Sequence, residues 1–503
     1  MFDKIKRLGT DTAIYGISTI IGRSLNFLLV PFYTNVLDPG KYGLVAYVYS
    51  IIAFITVIYN YGLESAYFKY SSSLEEGNPK QNFSTPFVAL VFTTIIFTIF
   101  IVLFTGPIEG LLNLSSNFTM PIYLTAGMLA FDTLSLVPFA SLRMERKAKT
   151  FALIKFINIF ITVVLNIVLL VVFGMGVTGI FISGFIASVF TFLLLVPTVW
   201  KHFTISFNKH LLYSLLKFGL PFIPSGLAAQ AIQVIDRPIL RSLTDDATVG
   251  IYQANYRLGI FMMLVVQMFD YAWRPFYFSM EKDPDARSIF ARVLTYFVLV
   301  MSTLFIIVSL FINDLVKVRI FGHSFIHPDY WSGLNIIPIV LLGYMFLGVS
   351  NNLSAGIFIK KKTHLMPVVT ITGAAVNIIA NYLLIPVMGI TGAALATFLA
   401  YFVMAIILYQ MSKRIYPIPY ELGRLAKIAL ATAAIMLVYY YVPFTINPLI
   451  IKCCLTIAFL ILMYLLKFFS ENEINLILNL FRKGTKSIPV NGATRKDDDN
   501  LGV

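Results

Sequence analysis

Charge is scarce in this 503-residue chain. Asp, Glu, Lys and Arg together make up 12% of it, against about 25% in a soluble globular protein. Cysteine is scarcer still. Cys453 and Cys454 are the only two, adjacent in an apolar run. That excludes a disulfide-stapled scaffold and a thiolate metal cluster, and they read as buried small hydrophobes. Five histidines are present; His323 and His327 are four apart with no third ligand in view, and read as solvated. No glycine-rich Walker loop and no zinc motif occurs, so neither direct ATP use nor a cofactor is expected.

Apolar residues dominate instead, at 58%, with 15% aromatic and a mean hydropathy of +0.83. A soluble core of this length would split into domains and show more polar surface. The composition points to a polytopic membrane protein. The apolar residues come in long runs rather than alternating, which argues against a β-barrel.

A spanning helix needs about 20 mostly apolar residues. Fourteen segments qualify: 12–33, 43–68, 86–105, 119–142, 151–173, 177–200, 216–240, 249–272, 289–312, 333–359, 365–386, 389–411, 425–443 and 447–468. Residues 471–482 read as an interfacial amphipathic helix. Residues 484–503 are polar and read as a disordered tail. The N-terminus leads into an apolar segment without a small-residue cleavage site, so no removable signal is expected.

Loop charge orients the chain. With the N-terminus cytoplasmic, 29 of the 38 Lys and Arg fall at cytoplasmic ends and 5 on the other side. The net charge of +14 therefore reflects topology and anionic lipid, and nucleic acid is not needed to explain it. Both termini are expected in the cytoplasm, with the chain in the cytoplasmic (inner) cell membrane.

The chain repeats itself. A shift of 207 lays 31–44 on 238–251, matching Pro31 to Pro238, Asp38 to Asp245 and Gly43 to Gly250. GVTG at 176–179 matches GITG at 389–392, and a shift of 215 lays Asn166 on Asn381 and Thr162 on Asn377. The expected fold is all-α and polytopic, with two six-helix lobes in parallel repeat, 1–208 and 209–412, then helices 13 and 14 in 413–470, and the interfacial helix and tail in 471–503. Two lobes with a site between them is a transporter plan.

Three segments carry a resemblance. They are LVPFYTNVLDPGKYGLVAY (29–47), VIDRPILRSLTDDATVGIYQANYRL (234–258) and NYLLIPVMGITGAALAT (381–397). With the 6 + 6 + 2 helix plan, they resemble the polysaccharide-transport family of Wzx-type oligosaccharide flippases, in the MATE-like multidrug/oligosaccharidyl-lipid/polysaccharide exporter superfamily. The resemblance implies a V-shaped cavity and alternating access. The cargo implied is a polyprenyl-diphosphate-linked oligosaccharide, flipped from the inner to the outer leaflet, in contact with polysaccharide biosynthesis machinery. A lipid II-type flippase and a cation-coupled drug exporter share the fold. Drug exporters usually stop at twelve helices. A membrane polymerase would carry a large outside loop, whereas the longest here, about 313–332, is short; an enzyme is not expected.

Polar residues within spans mark function or pairing. They recur at i+3, i+4 and i+7, giving wet stripes on helices 1, 2, 7 and 8 that suit a shared cavity. The candidate cavity residues are Arg23, Asn26, Asn60, Gln230, Gln233, Arg237, Gln253, Tyr256 and Arg257. Given the implied cargo, Arg23 and Arg257 would grip the diphosphate, because the guanidinium fork matches phosphate oxygens, with Arg237 next. The competing reading pairs Arg237 with Asp245 or Asp246. Lys155 lies near the span edge and reads as snorkelling; Asp132 and Asp270 are ambiguous. Asn158, Asn166, Asn377 and Asn381 read as helix–helix contacts. Glu64 and Asp236 are the candidates for coupling to H+ or Na+, and no residue is expected to hold a structural metal.

Overall fold

The structure, a computed structural model, describes residues 27–74, 76–115, 118–281, 283–320, 322–443 and 447–469. Arg23, Asn26, most of the first expected span, the helix expected at 471–482 and the tail lie outside them. Among the described residues 11 helices are long and apolar enough to cross a membrane, or up to 13 when each of two bent pairs counts as one span. These fall on the second to fourteenth expected spans, and the protein is an all-α multi-pass membrane protein.

The chain divides into two compact units, residues 1–420 and 421–503. The first unit begins with α1 (Phe27–Val36), α2 (Pro39–Asn60), α3 (Leu63–Ser73), α4 (Pro79–Leu103) and α5 (Thr105–Leu111). Next come α6 (Thr119–Leu134), α7 (Leu136–Met144), α8 (Ala148–Ile167) and α9 (Gly176–His202). The repeat resumes with α10 (Lys209–Gly219), α11 (Phe222–Val234), α12 (Asp236–Leu243), α13 (Asp246–Leu258) and α14 (Ile260–Ser279). It closes with α15 (Ala286–Lys317), α16 (Ile337–Leu353), α17 (Ala355–Ile359), α18 (Met366–Met388) and α19 (Ile390–Ile415). The second unit holds α20 (Leu422–Tyr441) and α21 (Pro448–Leu465), which pack on each other. On α21, Cys453 and Cys454 are exposed rather than buried; on a lipid-facing helix, exposure leaves a thiol in apolar surroundings.

Sequence punctuation sets the helix ends. Asp38 caps α2 by accepting from the Lys41 amide at 2.9 Å, with Pro39 in the first turn. Its repeat partner Asp245 caps α13, accepting from the Thr248 amide at 2.8 Å. Gly176 and Gly389, which open α9 and α19, have φ of +53° and +55°, a region that glycine enters without steric cost. Asn166 and Asn381 each donate to the carbonyl four residues back, those of Thr162 and Asn377, at 2.7 and 2.8 Å. The matched residues thus do matched structural work.

Two spans are broken. α10 and α11 meet at 42° and α13 and α14 at 46°. At the second break, a Cβ on Gly259 would stand 2.6 Å from Val340 Cγ1, so the bend depends on close packing of α13–α14 against α16.

α2 packs along α13, and α11 and α12 also lie against α2. Hydrogen bonds fasten the two repeats where α2 begins. Tyr330 Oη donates to the Leu37 carbonyl at 2.9 Å and Asn35 Nδ2 to the Ser324 carbonyl at 2.9 Å. Arg241 donates to the carbonyls of Leu112 and Asn113 at 2.6 and 3.1 Å, with its guanidinium 4.2 Å over the Tyr47 ring.

Candidate functional site

The fold builds a cavity of about 600 Å³ beneath that fastened end. Its walls come from α1 (Leu29, Val30, Tyr33), α2 (Tyr42, Tyr49), α3 (Glu64), α6–α7, α8 and α9, and from α13 through Gln253 and Arg257. The helical period places each set. Met128, Asp132, Ser135, Phe139 and Arg143 follow one face of α6–α7, and Lys155, Asn158 and Thr162 one face of α8. The sequence reading put the cavity between helices 1, 2, 7 and 8. The structure draws it chiefly from the first repeat, and no residue of α10–α12 lines it.

Among the described residues, five charged side chains line the cavity: Glu64, Asp132, Arg143, Lys155 and Arg257. Arg143 donates to Glu64 at 2.6 Å, and both are about half exposed, which sets them in contact with water. Lys155 Nζ sits 4.3 Å from the centre of the Phe139 ring. Lys155 and Asp132 both line the cavity. Arg257 lies near Tyr33, Tyr42 and Tyr49, and among the described residues it has no ion pair or hydrogen bond. Tyr49, Asn158, Thr162, Ser188 and Thr191 add hydroxyls and an amide. Asn158 also donates to Thr191 Oγ1 at 2.8 Å, tying α8 to α9.

Of the sequence candidates, the cavity brings together Gln253, Arg257 and Glu64. Asn60 and Gln230 are half-buried and Gln233 exposed, all outside the lining. Arg237 is buried, 5% exposed. It pairs with Asp236 at 2.5 Å, donates through Nε to Gln253 Oε1 at 3.1 Å and through Nη1 to the Gln233 carbonyl at 2.5 Å. Tyr252 and Tyr256 lie 5.4 and 4.4 Å from its guanidinium carbon. Asp236 also accepts from Tyr252 Oη at 2.5 Å. Arg237, Asp236 and Tyr256 therefore form a satisfied cluster behind the cavity wall. The partner suggested from sequence, Asp246, instead binds Arg241 Nε at 2.5 Å, and Asp245 is occupied as a helix cap.

Sequence reasoning gave no cavity role to Asp132, Arg143 or Lys155. The signal was present in their spacing: Asp132, Ser135, Phe139 and Arg143 repeat at three or four residues.

Outside the spans, Glu145 in the turn between α7 and α8 accepts from Lys147 at 2.5 Å, Lys201 at 2.9 Å and His202. Burial alone would raise its carboxyl, but the three donors outweigh burial and hold it at about 2.

Continuous and broken apolar spans, with a charged cavity walled by α1–α3, α6–α9 and α13, make a multi-pass membrane protein with the fold of lipid flippases and multidrug transporters. A lipid II flippase, MurJ, in an inward closed conformation is similar with a TM-score of 0.68 at 17% identity, covering 90% of this chain and 99% of that chain. An inward-facing multidrug resistance MATE family transporter of the MOP superfamily is similar at 0.63 and 13% identity, covering 78% of this chain and 94% of its own. An outward-facing MATE transporter gives 0.57 and 14%, covering 81% and 96%. At these identities the likeness is one of fold. The family is shown by sequence: the chain belongs to the polysaccharide biosynthesis protein family, whose model matches residues 8–281. No curated protein matches the chain.

Proposed function

We propose that this protein is a flippase that moves a polyprenyl-diphosphate-linked oligosaccharide from the inner to the outer leaflet of the cytoplasmic membrane by alternating access. The observation that carries the reading is Arg257. It stands in a water-accessible cavity without a carboxylate partner among the described residues. An uncompensated charge within a membrane is costly and is retained for a ligand or an ion path. A diphosphate supplies the matching charge and geometry. The hydroxyl and amide side chains beside it suit sugar hydroxyls, while an apolar tail can remain in lipid.

The 29-to-5 division of Lys and Arg supports an orientation with the Glu64–Arg143 rim and both termini on the cytoplasmic side. In this orientation the repeats are fastened outside and the cavity is charged toward the cytoplasm. The lobes are residues 1–208 and 209–412, followed by helices 13 and 14. Of the two carboxylates proposed for coupling to H+ or Na+, Glu64 is in reach of water and Asp236 is not.

Purified protein in vesicles, loaded with a labelled polyprenyl-diphosphate oligosaccharide in one leaflet, tests this. Appearance of the glycan to an added lectin on the other leaflet, faster than in protein-free vesicles, is the expected result. A rate equal to that of protein-free vesicles overturns the reading. Movement of lipid II alone would assign the precursor-flippase function, and movement of cationic dyes alone the exporter function.

A further inference from the structure

Three aromatic rings stand in line beside the cavity. Tyr49 of α2 stacks on Phe181 of α9, with ring centres 5.6 Å apart and planes 11° from parallel. Phe118, just before α6, meets Phe181 edge-on at 5.8 Å and 81°. Tyr49 belongs to the cavity wall, and the other two rings do not. Phe181 and Phe118 are 1% and 5% exposed, whereas Tyr49 is 36% exposed. The stack therefore ends in one ring that is held from behind and open to the cavity. The other tyrosines of the wall are committed elsewhere. Tyr33 donates its hydroxyl to Asn166 Oδ1 at 2.9 Å, and Tyr42 is buried against the rings of Tyr33 and Tyr330. The Tyr49 hydroxyl lies over Gly184 of α9, where a Cβ would stand 3.4 Å from it. Ser188 and Thr191 follow Gly184 along the wall at helical spacing, and Asn158 joins them from α8.

We propose that Tyr49 is a saccharide platform: its ring receives the apolar face of a pyranose, and so reads the glycan of the cargo rather than its diphosphate. This rests on the flippase reading above. A pyranose carries C–H groups on its faces and hydroxyls around its rim. The C–H hydrogens are weakly positive and meet the negative face of an aromatic ring. The rim hydroxyls then fall to neighbouring polar side chains, which here are Ser188, Thr191 and Asn158. A ring already fixed by Phe181 loses little freedom when a sugar lies on it. The cavity thus divides its labour. Arg257 meets charge, and Tyr49 meets a neutral ring. Stacking asks only for a C–H face, so it accepts sugars of more than one kind while giving nothing to a lipid diphosphate without a glycan.

The test uses the full chain in nanodiscs with two probes, farnesyl diphosphate and the labelled polyprenyl-diphosphate oligosaccharide. Tyr49→Leu should bind the glycan-bearing lipid about tenfold more weakly than wild type and farnesyl diphosphate within twofold of it. Tyr49→Phe, which keeps the ring, should stay within threefold of wild type for both. Phe181→Leu, which removes the backing, should weaken only the glycan-bearing lipid, by about threefold. Tyr49→Trp supplies a reading that does not depend on the Leu variant folding. Its added indole emission, taken against wild type, should shift to shorter wavelength with the glycan-bearing lipid and stay in place with farnesyl diphosphate.

If wild type binds both probes and Tyr49→Leu weakens both alike, or neither, the platform is overturned and the flippase reading is untouched. An indole emission that moves equally with the two probes overturns it in the same way. If wild type binds neither probe and moves no lipid-linked glycan, both fall.

Discussion

Gly43 and Gly250, aligned by the 207-residue repeat, meet face to face where α2 crosses α13. A Cβ on Gly43 would lie 1.7 Å from the Asp246 carbonyl oxygen and 2.7 Å from the Gly250 nitrogen. A Cβ on Gly250 would lie 2.0 Å from the Pro39 carbonyl oxygen. The repeats therefore touch backbone to backbone, each helix capped just before the crossing by Asp38 or Asp245. Missing side chains at this point let the two repeats close above the cavity.

Replacing Gly43 by Ala should force these helices apart, because the atoms in the way are backbone and cannot rotate aside. Overpacking of this kind costs about 1–3 kcal/mol. We expect a lower Tm, at least a tenfold loss of glycan movement, and faster labelling of cysteines introduced at Thr248 or Lys41. An unchanged labelling rate at both sites would show that the crossing does not close the cavity.

Arg237 should behave as a structural residue. Its guanidinium and the Asp236 carboxylate are both buried, 5% and 1% exposed, and truncating one member of such a pair costs about 3–5 kcal/mol through the charge left behind. Arg237→Met should cut the yield of folded protein, and Arg237→Met combined with Asp236→Asn should recover most of it. The recovered double variant should bind farnesyl diphosphate like wild type. A loss of binding without a loss of stability would return Arg237 to the cavity.

The spans were legible because a bilayer imposes length and apolarity on every crossing. The repeat was legible because caps and glycines mark backbone needs that lipid-facing positions do not share. The cavity was only partly legible, since a polar stripe shows which side of a helix is wet, not which neighbour it meets. Arg237 and Arg257 looked alike as arginines within spans, yet one is closed in by Asp236, Gln253 and Tyr256 while the other faces water. The ring beside Lys155 could not be read from sequence, because Phe139 reaches it only through packing of α7 on α8.

The Glu145 cluster sets a pH prediction outside the membrane. Its carboxyl is held at about 2, below the ordinary 4.5, after burial is outweighed by Lys147, Lys201 and His202. A lowered folded-state value contributes stability above the ordinary value, lost as pH falls toward the folded one. The Tm of wild type should exceed that of Glu145→Gln near neutral pH, and the gap should close between pH 4.5 and about 2. A gap that closes above that window would mean the three donors do not hold the carboxylate.

Arg257 is the residue on which transport should depend most directly. It projects from α13 into the cavity among Tyr33, Tyr42 and Tyr49, and no acidic side chain among the described residues competes for it. A charge-assisted hydrogen bond contributes about 1.5–3 kcal/mol, so losing one should weaken diphosphate binding by about tenfold or more. Arg257→Ala should therefore reach the membrane at wild-type level, bind farnesyl diphosphate at least tenfold more weakly, and move little glycan. Arg257→Lys should recover part of the binding, because it keeps the charge and loses the fork. Full recovery by Lys would mean that charge alone is read at this position. Wild-type transport by the Ala variant would move the primary anion contact elsewhere in the cavity. Failure of the Ala protein to accumulate, with Lys restoring its level, would make Arg257 a structural partner of the tyrosines around it.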